Sequence, residues 1–136
     1  MTLETKFDRS AGLIYVETHV FGPRKELPAT FILDTGAERT LVVPDVLDQL
    51  GYSPRDGLSI TRVSSALGKE YGYMLRLSRF SALGFTLANF PVNVFDLADG
   101  GNISGLIGLN FLSQFNYEIR SGEGRIIVEN LAPLAA

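Results

Sequence analysis

The sequence predicts an all-β domain with one or two short helices, and three observations lead there. Apolar and polar residues alternate over short stretches, glycines and prolines interrupt the chain at close intervals, and only two segments suit a helix. A chain of 136 residues with 46% hydrophobic content can bury one ordinary core, which predicts a single domain over residues 1–136 with its core between about 12 and 128.

The first ten residues, Met1 to Ser10, are polar and charged and lack the apolar stretch of a secretory signal. From Gly12 to Phe21 the pattern alternates, with Ile14, Val16, Thr18 and Val20 on one face and Tyr15, Glu17 and His19 on the other, which predicts a half-exposed strand. A polar loop through Gly22 and Pro23 leads to a short apolar run, Ala29 to Leu33, that stops at Asp34-Thr35-Gly36. Pro44 suits a first helical position and Gly51 a helix end, so a short helix is expected between them, burying Val46, Leu47 and Leu50. Leu58 to Leu97 reads as hairpins of short runs separated by Gly68, Gly72, Gly84 and Pro91. After the glycine-rich loop Asp99-Gly100-Gly101-Asn102 comes the run Leu106-Ile107, which ends at Gly108. A second short helix fits Leu109 to Phe115, and two strands turning at Ser121 to Gly124 complete the chain. One pattern therefore occurs twice, around Asp34 and around Gly108: an apolar strand, a glycine-containing turn and a short helix. Only the first copy carries an acid, and the pair suggests a pseudo-symmetric β domain.

Composition excludes several functions. Twelve Lys and Arg face fifteen Asp and Glu without a run of either sign, so there is no electrostatic footprint for nucleic acid. Zero cysteines exclude disulfides and thiolate metal sites. No apolar run approaches a bilayer-spanning length, and the expectation is a soluble, cytoplasmic protein without a membrane partner.

The chemistry concentrates at Asp34-Thr35-Gly36: an acid at a strand end, a hydroxyl beside it, and a glycine that allows close backbone approach. Alone, such a triplet is as well read as a turn in which Asp caps its own backbone. Its context differs, because Phe31, Ile32 and Leu33 bring the carboxylate out at the edge of the core.

Two segments extend the pattern, Phe31-Ile32-Leu33-Asp34-Thr35-Gly36-Ala37 followed by Thr40-Leu41-Val42, and Gly105-Leu106-Ile107-Gly108-Leu109-Asn110-Phe111-Leu112. In order and spacing they resemble the retropepsin-like aspartic proteases, the retroviral type and its single-domain bacterial relatives. The resemblance covers roughly Gly12 to Val128. It implies a retropepsin-like acid protease barrel in which each chain is one half of a C2 homodimer. It implies Asp34 as the catalytic carboxylate, Thr35, Gly36 and Ala37 as support of its loop, and Leu106, Ile107 and Gly108 as a second strand threading behind that loop. It further implies that Thr35 bonds across the dimer and that a hairpin flap, Ile60 to Tyr73 with its tip at Ser64, Ser65, Ala66, Leu67 and Gly68, closes over an extended polypeptide substrate. Two carboxylates that share one proton are needed for this chemistry, and the chain has no second Asp-Thr-Gly or Asp-Ser-Gly. The second acid is then Asp34 of another copy. No metal or cofactor is implied. The alternative is a catalytically weak or inactive module of the same fold that binds peptides or dimerises.

The sequence also departs from the resemblance. Retroviral members pair acidic residues after the motif with an arginine where Leu109 stands here; Glu38 and Arg39 follow Ala37 instead, and either shape a cleft or are solvated. The lone His19 has no nucleophile motif to serve and reads as a strand surface residue. Asp96 and Asp99 lack the further spaced oxygens of a cation site, and Arg76 and Arg79 read as a solvated strand edge.

Overall fold

The computed structural model describes residues 1–65, 68–97 and 102–131; Asp99, Gly100 and Gly101 of the glycine-rich loop, and the tail from Ala132, lie outside them. Strands β1 (Thr2–Lys6), β2 (Tyr15–Phe21), β3 (Glu26–Leu33) and β4 (Leu41–Val42) precede helix α1 (Pro44–Leu50). Strands β5 (Ser59–Ser65), β6 (Gly68–Ala82), β7 (Phe85–Val94) and β8 (Gly105–Ile107) follow, then helix α2 (Leu109–Leu112) and strands β9 (Phe115–Arg120) and β10 (Arg125–Asn130).

Six strands close a barrel in the order β2-β3-β8-β4-β7-β6, with β6 pairing back onto β2. The fifteen-residue β6 is long enough for one of its edges to serve two partners. Residues Gly68 to Met74 pair with β5 as a hairpin, and Arg79 to Ala82 pair with β2. Between these stretches the N–H of Ser78 donates to the Tyr52 hydroxyl at 2.8 Å, and that hydroxyl donates to the Phe21 carbonyl at 3.0 Å. One phenol thus fills the gap where β6 changes neighbour, and neither backbone group is left unpaired.

Sequence punctuation misled at two points here. Gly72 and Pro91 do not end strands; both lie inside long ones. A Cβ at Gly72 would stand 2.2 Å from the Val94 carbonyl oxygen, so the glycine permits close packing, not a turn. Pro91 is tolerated because its carbonyl accepts from the Asn110 side chain at 2.7 Å, on an edge where a ladder N–H is not required. The second helix is also shorter than expected: it ends at Leu112, and Phe115 already belongs to β9.

The interior is aromatic. Phe80 stacks on Phe90 with centroids 5.2 Å apart, and Phe31, Phe111 and Phe115 continue the cluster at 5.2 to 5.8 Å separations. Helix α1 adds Val46, Leu47 and Leu50 to this core, as its spacing predicts, and stops at Gly51, whose φ of 94° suits glycine. Beside the barrel, β1, β10 and β9 form a three-stranded antiparallel sheet. The polar N-terminus, for which the sequence suggested no element, supplies β1, because Leu3 and Thr5 alternate with charged Glu4 and Lys6 along β10.

Candidate active site

Phe31 is fully buried in the aromatic cluster, and β3 carries the chain from it to Asp34 at the barrel end. The Asp34 N–H donates to the Ile107 carbonyl at 2.9 Å, so the ladder between parallel β3 and β8 runs one residue past the strand. The chain then turns: Ala37 N–H donates to the Asp34 carbonyl at 3.2 Å, and Gly36 N–H donates to Asp34 Oδ1 at 2.9 Å. One carboxylate oxygen is therefore held by the loop's own backbone, a charge-assisted contact. Asp34 and Ala37 are half-buried, while Thr35 and Gly36 are exposed.

Behind this loop lies a network of polar groups that no pattern in the sequence marks. Thr40 is completely buried; its hydroxyl accepts from Gly108 N–H at 3.0 Å and donates to Asn110 Oδ1 at 2.9 Å. The same Asn110 oxygen accepts from Thr40 N–H at 2.7 Å. Leu109 N–H donates to the Ala37 carbonyl at 2.8 Å and Asn110 N–H to the Glu38 carbonyl at 3.1 Å. Loop 34–40 and segment 106–110 are thus laced together: the Ile107 carbonyl accepts the Asp34 N–H, Gly108 N–H donates to Thr40, and Leu106 is the register partner of Leu41. Gly108 leaves no space for a side chain: a Cβ would stand 2.5 Å from the Arg39 carbonyl carbon and 2.8 Å from the Ala37 oxygen. The one signal that could have flagged Thr40 and Asn110 is polarity inside otherwise apolar runs that must be buried, since buried polar groups find partners.

On the face away from the core, one row crosses all seven strands of the barrel sheet. Tyr15, Ile32, Leu106, Leu41, Asn93, Met74 and Ser59 are successive register partners. Ile32 lies two residues before Asp34 on the same strand, so the row crosses β3 close to the acid. Leu41 is buried although it stands outside the main core, and Ile32, Leu106, Asn93 and Met74 are half-buried. Asn93 Oδ1 is buried without a hydrogen-bond partner among the described residues. The β5–β6 hairpin stands at the far end of the row, its register closing at Ser65 opposite Gly68; Ala66 and Leu67, expected at the tip, lie outside the described residues. Among the described residues no group of three or more His, Cys, Asp or Glu lies together as metal ligands would. Among the described residues no helix is long and apolar enough to cross a membrane.

The architecture is similar to that of a solved retropepsin-like aspartic protease from Rickettsia conorii, with a TM-score of 0.72 and 18% identity, over 96% of this chain and 91% of that one. At such identity the likeness speaks for the fold alone. No curated protein matches the chain. A family model described as aspartyl protease matches residues 16–111, a span that contains both laced segments, Asp34 to Thr40 and Leu106 to Asn110. The chain therefore belongs to the aspartyl protease family and is retropepsin-like.

Proposed function

We propose that the protein is an aspartic endopeptidase whose catalytic unit is a C2 homodimer, with Asp34 of each copy contributing one carboxylate. The observation that carries this reading is the Asp34 turn itself: a half-buried acid at the end of a barrel strand, one oxygen fixed by Gly36 N–H and the backbone tied to Ile107. A fold that served only as scaffold would have no chemical use for that preorganisation. Thr35 and Gly36 are exposed in the single chain, which suits residues that a second copy covers.

In the dimer, two like charges at hydrogen-bonding separation cannot both ionise cheaply, so the pair shares one proton. The ionised Asp34 takes a proton from water as its oxygen attacks the peptide carbonyl carbon, and the partner's protonated Asp34 donates to the carbonyl oxygen. Collapse of the tetrahedral intermediate breaks the C–N bond and returns a proton to the leaving amine. Gly108 and the Thr40–Asn110 network keep each loop in place for this step, Thr35 bonds across the two-fold axis, and the β5–β6 hairpin serves as the flap that excludes water. The row from Ile32 to Met74 offers the substrate a largely apolar floor.

The test compares cleavage of a peptide library, at acidic and neutral pH, by wild type and Asp34→Asn. Asn keeps the shape but cannot carry the shared proton, so activity should fall by at least about a thousand-fold. A peptide with a transition-state mimic at the scissile bond should inhibit the wild type, and sedimentation should find active protein as dimer. Equal activity in the two proteins would sink the proposal.

A further inference from the structure

We propose that Arg39 selects the substrate: its guanidinium takes an aspartate or glutamate side chain a few residues from the scissile bond. The inference rests on the peptidase reading above and narrows its substrate class to peptides with such an acid. The backbone of Arg39 is fixed on both sides, by Asn110 N–H on the Glu38 carbonyl at 3.1 Å and by Thr40 N–H on Asn110 Oδ1 at 2.7 Å. Its own carbonyl oxygen would stand 2.7 Å from a Cβ at Gly108, so it is packed as well as bonded. The side chain, in contrast, is exposed and meets no carboxylate among the described residues; the ion pairs found there belong to Arg120 and Arg125. Glu38 is adjacent and exposed, yet makes no ion pair with it.

What Arg39 does touch is Met74, its Nη1 lying against the thioether sulfur. Thioether sulfur is a weak acceptor, and the guanidinium has five donors to offer. Met74 is the β6 member of the row that crosses β3 at Ile32, and it stands opposite Ser59 at the root of the β5–β6 hairpin. The cation therefore spans from the catalytic loop to that hairpin, across the space an extended peptide would follow. A charge on a fixed base loses little further freedom when a carboxylate arrives, and a guanidinium can hold both carboxylate oxygens at once. In the proposed dimer the site is repeated on each side of the two-fold axis.

The test measures binding rather than cleavage. Peptides with a non-cleavable hydroxyethylene unit at the scissile bond carry Glu, Gln or Lys moved through the four positions on each side, and their affinities are measured at low and moderate salt. At one position Glu should bind on the order of five-fold tighter than Gln, with salt narrowing the gap. Arg39→Gln should abolish the preference and Arg39→Glu should transfer it to Lys, thermal melts serving to verify folding. Equal affinity for Glu and Gln at every position in the wild type, or an acid preference unchanged in Arg39→Gln, overturns the assignment to Arg39. Failure of every peptide to bind overturns the peptidase reading beneath it.

Discussion

The turn at Asp34 and the turn at Gly108 share a pattern, an apolar strand that ends at a glycine-containing turn, yet they divide the labour. The first is exposed at Thr35 and Gly36 and carries the acid; the second is buried at Gly108 and carries none. Their glycines differ accordingly. A Cβ at Gly36 would meet only Asp34 Oδ1, at 3.2 Å, whereas one at Gly108 would run into the backbone of Arg39 and Ala37 at 2.5 to 2.8 Å. Neither needs a left-handed backbone, since the positive-φ glycines lie at Gly12, Gly51, Gly84 and Gly124. One glycine thus serves the chemistry and the other serves the packing that holds it.

The largest break of this contrast is Gly108→Ala. Backbone cannot step aside as a flexible side chain can, so the methyl group must push loop 34–40 away from α2. A loss of about 3 kcal/mol is expected, read as a lower midpoint in urea unfolding, together with lost activity. If stability were unchanged, the claim that this turn carries the packing would fail.

Thr40→Val comes next. Valine matches the shape but strips the hydroxyl, leaving Gly108 N–H buried without its acceptor and Asn110 Oδ1 with one donor fewer. An unsatisfied buried donor costs about 1 to 3 kcal/mol, while Thr40→Ser keeps the hydroxyl and should recover most of that. Valine keeps the methyl and serine the hydroxyl, so a valine variant as stable as wild type beside a destabilised serine variant would show that the methyl, and not the hydrogen bonds, matters at this site.

These two residues also mark the limit of what the sequence made legible. The strand into Asp34, helix α1 with its buried face, the final hairpin and the second glycine strand could all be placed from periodicity and punctuation, because each is a local pattern. Thr40 and Asn110 could be quoted in the matching segments but given no role, since their partners are 68 to 70 positions away and a lone buried hydroxyl leaves no periodic trace. Closure of the barrel was hidden for the same reason. It joins Thr18 to Phe21 with Arg79 to Ala82, far along the chain, and the length of β6 was hidden too, because glycine for close packing and glycine for a turn are the same letter. The N-terminal strand escaped because its outer face is charged and its inner face is short.

Gly36→Ala should sharpen the contrast from the other side. The position is exposed and its backbone is open to alanine, so stability should stay within about 0.5 kcal/mol of wild type. The methyl nevertheless crowds Asp34 Oδ1, and displacing that carboxylate by a few tenths of an ångström should lower peptide cleavage on the order of ten-fold. Melting and cleavage measured on the same preparation separate the two effects. A large fall in melting temperature would erase the distinction between the turns.

A third turn sets the baseline for both, because it is neither buried nor near the acid. Between β9 and β10, Glu123 bonds Arg125 at 2.7 Å and pairs with Arg120, while Arg125 also reaches Glu4 of β1 at 3.0 Å. The hydrogen bond from Arg125, and then that from Arg120, hold the Glu123 carboxyl below its ordinary value of 4.5. A carboxyl depressed in the folded state contributes stability above its unfolded pKa, and that contribution disappears as pH falls through the folded value. Glu123→Gln should therefore lower the melting temperature slightly at neutral pH, with the difference closing as pH falls through the folded value and wild type loses the same contacts. The groups are solvent-exposed and salt-screened, so this effect should be the smallest of the set and should shrink further in high salt. A drop as large as that of Gly108→Ala would mean that surface charge, not the laced pair of glycine turns, dominates the stability of this barrel.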